Sequence, residues 1–353
     1  MLNEGFLFAG HSILVTLQNI KQRYIKKMNS LYPFKLRPIY KDKIWGGDKI
    51  KTLFGRDYTP LPNCGESWEL SGVEDNLSVV TNGFLEGNNL EELIEVYMGD
   101  LVGEKNYEKF GLHFPILIKI IDSHDWLSVQ VHPDDTLAMK RHQQNGKTEM
   151  WYVLQADKNA QLVNGFNREL DKEKFQQYFK DKKLTDVLNY ENVKAGDVFY
   201  IPAGRIHALG PGICLAEIQQ TSDITYRIYD WDRKDDKGNS RELHYEQSLD
   251  AIDYKGIDSN KIISSFKPNI SKNLVESPYF TTNTLAFDKP LDIDYFELDS
   301  FVIYLCTEGK FTIEYSQGKE IVQKGETVLI PAELHELRLI PEPSAKLLEV
   351  YIK

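Results

Sequence analysis

VKAGDVFYIPAGRIHAL, residues 193–209, and VQKGETVLIPAELHELRL, residues 322–339, read as two copies of one structural unit. Gly196 falls on Gly325, Pro202 on Pro331 and Ala203 on Ala332, each pair 129 residues apart; one deleted residue then brings His207 close to His335. An alternating stretch precedes each copy, EMWYVLQADKNAQLVNG from Glu149 and SFVIYLCTEGKFTIEYSQG from Ser300. Strand-turn-strand segments share Gly and Val by chance, but chance does not readily supply Ile-Pro-Ala and a nearby histidine twice. Strand, hairpin, Gly turn and a strand ending in Ile-Pro-Ala form the unit of a jelly roll, or double-stranded β-helix. Two units predict two stacked barrels.

The rest of the chain fits that expectation. Short strands bounded by Gly, Pro and Asn are expected in CGESWELSG (64–72), NLSVVTNG (76–83), FPILIKIIDS (114–123) and LSVQVHP (127–133). Helical spacing of apolar residues marks NLEELIEVYMGDLVG (89–103) and LDKEKFQQYFKDKKLTDVLNYE (170–191). The fold class is therefore all-β dominated, two tandem barrels with a few accessory helices. The 19 Tyr and 17 Phe favour strands over a helical bundle. The expected division is 28–260 for the first barrel with its helical insertions and 261–353 for the second.

The net charge of -11 argues against a nucleic-acid partner while leaving room for a local basic pocket that takes a small anion. Cys64, Cys214 and Cys306 are far apart in sequence, neither a zinc-ribbon spacing nor a disulfide framework, and fit a reducing cytoplasm. GFLFAGHSILVTL (5–17) imitates a signal core poorly: Glu4 stands where a basic residue belongs, the basic residues come afterwards, and the run is too short to cross a bilayer. No membrane association is expected. Residues 1–27 are expected to be an upstream extension, with Met28 as the natural start. Oligomeric state is not legible.

Candidate chemistry begins at VQVHPDD (129–135). Residues two apart on a strand share a face, so Gln130 and His132 leave the sheet together. A lone histidine near a strand end is usually structural. Glu149 at the start of the next strand and His207 after Ile-Pro-Ala change that reading, because neighbouring barrel strands would aim all four inward. Gln, Glu and two His, without thiolate, suit zinc or another divalent first-row ion and leave room for water or substrate. The second barrel has Ser300 where Glu149 falls in the first copy, and no Gln-X-His strand beside His335. It reads as structural, with His335 a non-ligand.

LSVQVHPDD, GKTEMWYVL, IPAGRIHALGPGICLAEIQQTSDITYRIYDWDR and the opening PFKLRPIYKDKIWGG together resemble type I mannose-6-phosphate isomerases of the shorter bacterial form, a cupin family, over nearly the whole chain from residue 31. The resemblance implies one zinc per chain in the first of two cupin barrels and interconversion of mannose 6-phosphate with fructose 6-phosphate, so a sugar phosphate as partner. Gln130, His132, Glu149 and His207 fall on the zinc-ligand positions, and Arg227 on the family's active-site arginine. Lys147, Glu217 and Asp223 are candidates for the enediol proton transfer, with no choice among them. Arg227 and Arg233 suit the phosphate, since a guanidinium fork engages two oxygens. Lys119 interrupts the apolar run ILIKIID and is expected to pair with a site carboxylate. The chain lacks room for the large helical insert of longer members, and Thr148 stands beside Glu149 where many members have proline. The rival readings are an iron-dependent cupin oxygenase or other sugar-modifying cupin, and a regulatory sugar-binding module that keeps zinc without turnover. The Gln ligand and the Arg227 segment argue against the first; the second would be supported by loss of a ligand or of Arg227, and neither is lost.

N-terminal sequencing of the protein from its native source is expected to begin at Met28 or the residue after it; a chain starting at Met1 or Leu2 would end that idea.

Overall fold

The computed structural model describes residues 30–235, 237–256, 261–262 and 267–353; the expected extension at 1–27 lies outside them. Residues 33–353 form one compact unit, within which two barrels follow each other along the chain. The first barrel is made of two antiparallel sheets. Seven strands run in the order Lys261–Ile262, Val198–Ile201, Glu149–Ala156, Ile213–Gln220, Ile116–Ser123, Glu66–Leu70, Ile39–Lys41. Five run in the order Tyr226–Tyr229, Val129–Val131, His207–Leu209, Gln161–Phe166, Leu188–Asn192.

Alternation decides what lies between the sheets. Trp151, Val153, Phe199, Leu215 and Ile121 of the larger sheet share a core with Leu162 and Leu209 of the smaller one. Val129, Val131, Val163, Ala208, Tyr226 and Ile228 point the other way, onto Phe175 and Leu249 of the helices Lys172–Lys180 and Tyr245–Ala251. Burying each such large apolar side chain contributes about 1.5–3 kcal/mol, so the smaller sheet is held on both faces. Gln130, His207 and Arg227, one residue out of step with these outward residues, face the barrel interior.

The second barrel is an eight-stranded sheet in the order Phe34–Lys35, Thr327–Ile330, Val302–Tyr315, Glu336–Tyr351, Thr281–Phe287, Lys272–Glu276, with Leu291–Asp294 on Glu336–Tyr351 and Gly318–Gln323 on Val302–Tyr315. Two short strands cross the sequence division near residue 260: Phe34–Lys35 pairs into the second barrel and Lys261–Ile262 into the first.

The repeat is physical. Strands Val198–Ile201 and Thr327–Ile330 have the same length at an offset of 129, and the glycines before them, Gly196 and Gly325, share a left-handed φ of 85°. Arg205 N donates to Pro202 O and Leu334 N to Pro331 O, closing the same turn after each Ile-Pro. His207 and His335 each precede a core leucine by two residues, Leu209 and Leu337. One equivalence needs correction. Glu149 pairs with Ile201, and the residue that pairs with Ile330 is Val302, so Val302 rather than Ser300 holds the position of Glu149. Ser300 precedes Val302 by two residues, a spacing that keeps the face of an extended chain but shifts the level.

The helices also depart from expectation. Leu90–Val102 forms where helical spacing is expected, starts with an Asn89–Glu92 capping box, and is broken at Met98 by a φ of 47°. The second expected helix is only Lys172–Lys180; Lys182 turns left-handed, and Leu188–Asn192 instead joins the five-stranded sheet beside Gln161–Phe166. Tertiary pairing there overrides local helix propensity. NLSVVTNG forms only isolated bridges, through Val79 and Val80. Helices Lys49–Phe54, Glu104–Phe110, Asp135–His142 and Tyr245–Ala251 were not expected, being too short to show a period. Among the described residues no helix is long and apolar enough to cross a membrane.

The paired glycines make a stability test. A Cβ on Gly196 meets nothing within 4 Å, whereas one on Gly325 would lie 2.5 Å from the Phe54 ring. Gly196→Ala is expected to cost about 1–2 kcal/mol for the left-handed backbone alone, and Gly325→Ala clearly more. Urea unfolding of both variants checks the order; equal losses would refute the packing account.

Candidate metal centre

Pro133 ends the strand that carries Gln130, and the two aspartates after it organise the site. Asp134 caps the helix Asp135–His142 through Leu137 N. Asp135 Oδ1 accepts from Gly146 N at 2.8 Å and from Gln220 Nε2 at 2.9 Å, while Lys147 N donates to Pro133 O at 3.1 Å. The chain therefore returns beside His132 immediately before the strand Glu149–Ala156. Gly146 permits this approach, since a Cβ there would lie 2.6 Å from the Asp135 backbone. Thr148 donates its N–H to Gln220 Oε1 at 2.9 Å, a bond proline could not make.

His132, Glu149 and His207 converge, with one ligand atom of each within 4.8 Å of the others. All three are buried. His132 Nε2 is 3.4 Å from Glu149 Oε2, and His207 Nε2 is 3.4 Å from Glu149 Oε1. Backbone carbonyls fix both rings: His132 Nδ1–H donates to Ile224 O at 2.9 Å and His207 Nδ1–H to Arg205 O at 2.8 Å. Each imidazole thus turns its Nε2 lone pair toward the centre, as a ligating histidine must. Burial and the Lys147 charge push His132 well below the usual histidine range, and burial above all brings His207 down to about 4, so both stand neutral.

These residues fit a divalent ion. Glu149 Oε1 is buried without a hydrogen-bond partner, which in a native site asks for a ligand. Burial and the neighbouring Glu217 raise Glu149, against the pull of Lys147. The Lys147 ammonium bridges Glu149 Oε2 at 2.5 Å and His132 Nε2 at 3.0 Å. Gln130 reaches the same point, its Nε2 lying 3.1 Å from His207 Nε2; a half-turn of the amide presents Oε1 instead. The four residues expected to act together are brought together.

Beside this centre, bounded in part by Gln130 and Lys147, lies a cavity of about 300 Å³. Its charged lining is Lys43, Lys119, Lys147, Arg227 and Arg241 against Glu66, Glu217 and Asp223, with Trp45 and Trp151 among the apolar walls. Glu217 stands directly across from Lys119 on one side and Trp151 on the other. It accepts from Lys119 Nζ at 3.2 Å and from Trp151 Nε1 at 2.9 Å. Burial alone would raise this carboxyl; Lys147 and Lys119 outweigh it and hold it low. Lys119 is thus paired with a site carboxylate, as its place in an apolar strand required.

Arg227 lines the cavity and donates from Nη1 to Glu242 O at 2.8 Å. Arg233 does not line it. Its Nη2 donates to Trp126 O, and it stands 3.9 Å from Asp125 and 4.0 Å from Asp230. The turn after strand Tyr226–Tyr229, with Trp231 and Asp232 left-handed, points it elsewhere. Lys43, Trp45, Glu66 and Arg241 were missed as site residues. Lys43 and Trp45 lie in the opening KDKIWGG segment already noted; no spacing signal marks Glu66 or Arg241.

A family model of the phosphomannose isomerase type I catalytic domain matches residues 33–170. The mannose-6-phosphate isomerase of Streptococcus mutans is 38% identical over 290 residues, 82% of this chain and 89% of that protein. The crystal structure of mannose 6-phosphate isomerase from Bacillus subtilis matches with a TM-score of 0.81 and 30% identity over 91% of this chain and 100% of that one. A zinc-bound mannose 6-phosphate isomerase shares the fold at a TM-score of 0.73 with 16% identity, over 92% of this chain and 100% of that one. With likeness in sequence and fold running over most of both chains, the protein belongs to the mannose-6-phosphate isomerases, a family of isomerase enzymes built on tandem cupin barrels.

Proposed function

We propose that the chain interconverts D-mannose 6-phosphate and D-fructose 6-phosphate through an enediol, using one zinc ion held by Gln130, His132, Glu149 and His207. The observation that carries this reading is a buried His-Glu-His group whose immediate neighbours Gln130 and Lys147 line a cavity more basic than acidic, in a chain of net charge -11. When bound, zinc supplies a Lewis acid that polarises the carbonyl and hydroxyl oxygens of the sugar. The donor set is nitrogen and oxygen without thiolate, as in the catalytic zinc sites built from histidine and glutamate.

The chain's own groups do the rest. Isomerisation moves a proton between adjacent carbons, so a base must take it and return it. Glu217 has both oxygens engaged by Lys119 and Trp151 and serves as a positioning residue that keeps two lysines at the cavity wall. Lys147 and Asp223, both on the lining, remain the groups from which the base is drawn. Arg227 faces the substrate phosphate. A cytoplasmic setting suits the three cysteines, all buried and free.

A coupled assay with mannose 6-phosphate on the purified protein, as isolated, after chelation and after return of zinc, is expected to show activity lost and restored. A zinc-loaded protein without turnover would sink the reaction assignment and favour the regulatory-binding reading. His207→Ala is expected to abolish both bound metal and activity, while His335→Ala leaves metal content unchanged; equal metal loss would overturn the assignment of the centre to the first barrel. Arg227→Ala should keep its metal and lose on the order of 10²-fold in turnover, and wild-type kinetics would refute its role.

A further inference from the structure

Arg227 is fastened by a loop that reaches back from residue 244. His244 N donates to Arg227 O at 2.7 Å, Arg227 N donates to His244 Nδ1 at 3.1 Å, and Arg227 Nη1 donates to Glu242 O at 2.8 Å. This clasp delivers the next residue, Arg241, to the same cavity. Arg241 is oriented by Asp230, whose buried carboxylate accepts from its Nε at 2.8 Å and its Nη2 at 2.5 Å. A guanidinium has five N–H donors. Two face Asp230, leaving others of the fork for a ligand.

One guanidinium at this corner is left without a carboxylate partner among the described residues. Lys43, Lys119 and Lys147 each have a carboxylate partner within 3.2 Å. Arg227 makes no ion pair among the described residues; its fork meets a backbone carbonyl, and its buried Nε has no partner. Asp230, already bonded by Arg241, is also the carboxylate 4.0 Å from Arg233. Burial, and then the Arg241 charge, lower Arg227 from its ordinary range, against the smaller opposing pull of Asp230 and Glu242.

Register places the pair relative to the metal centre. Gln130 is the cross-strand partner of both His207 and Arg227, so the three lie side by side on adjacent strands and face the interior. At ~4.8 Å per strand, Arg227 sits roughly 10 Å from His207 across the sheet. Gln130 and the two arginines thus line one cavity, beside the His-Glu-His group. We propose that Arg241, in the place first given to Arg233, is the second guanidinium of the phosphate subsite and clamps the substrate phosphate together with Arg227. This rests on the sugar-phosphate reading of the site.

The test reads binding apart from turnover. Titration calorimetry with mannose 6-phosphate and with inorganic phosphate, on the zinc-loaded protein, is expected to show roughly 10- to 100-fold weaker binding of both in Arg241→Gln, the usual cost of losing charge-assisted bonds. Arg241→Lys should recover part of this loss, and metal content should stay at the wild-type level. Phenylglyoxal labelling of the wild-type protein, mapped by mass spectrometry, provides a measurement that needs no variant: phosphate should protect Arg241 and Arg227 and leave the exposed Arg338 unprotected. Unchanged affinity in Arg241→Gln, or labelling of Arg241 indifferent to phosphate, overturns the proposal. Failure of the wild type to turn over mannose 6-phosphate while phosphate still protects Arg241 would instead remove the isomerase reading and keep the anion site.

Discussion

A carboxylate buried between two lysines and an indole organises the catalytic barrel. Glu217 lies on the strand between Glu149–Ala156 and Ile116–Ser123, and register alone sets it opposite Trp151 and Lys119. Desolvating three or four charges inside a barrel is tolerable only when each has a partner, and removing one partner of such a pair typically costs about 3–5 kcal/mol. The barrel is consequently divided. Ile121, Val153 and Leu215 fill one part with ordinary apolar packing, while Lys119, Glu149 and Glu217, on the same inward faces, make the other part polar. Each strand contributes to both parts, so the positions of the site groups are as fixed as the sheet itself.

The second barrel shows what the same frame becomes without this arrangement. Tyr304 pairs with Glu349 as Trp151 pairs with Glu217, and Val302 stands where Glu149 does. Tyr295 and Asn283 donate to the Glu349 carboxylate, with Tyr295 and Tyr304 hydroxyls in contact at 2.5 Å. Hydroxyl and amide groups satisfy the carboxylate where lysines do so in the first barrel. The result is a closed hydrogen-bond network beside a core of Phe287, Phe311 and Leu347, and, among the described residues, a framework with no metal-holding cluster like that of the first barrel.

Much of this was legible in the sequence because alternation and repetition are properties of the chain itself. The Ile-Pro-Ala repeat gave both barrels, and the inward face of VQVHP gave two of the four converging side chains. Levels across strands were harder: a two-residue slip preserves the face, so Ser300 and Val302 could not be told apart without pairing. LTDVLNYE carries helix-compatible residues, yet its second half is a strand, since an open edge beside Gln161–Phe166 rewards pairing more than local propensity does. Arg233 and Arg241 are eight residues apart in one polar loop, and only the turn at Trp231 and Asp232 and the clasp through His244 decide which reaches the cavity. Conformation of an irregular loop leaves no period to read.

The strand Phe34–Lys35 is paired to Val328 and Leu329, almost three hundred residues later in the chain. During synthesis this early segment emerges from the ribosome long before its neighbour exists, and its open edge has to wait. Closure of so long a loop is slow in principle, and unpaired edges are where chains associate wrongly. The barrel made later thus covers the edge of a strand made early, which ties the settling of Phe34–Lys35 to synthesis of Thr327–Ile330.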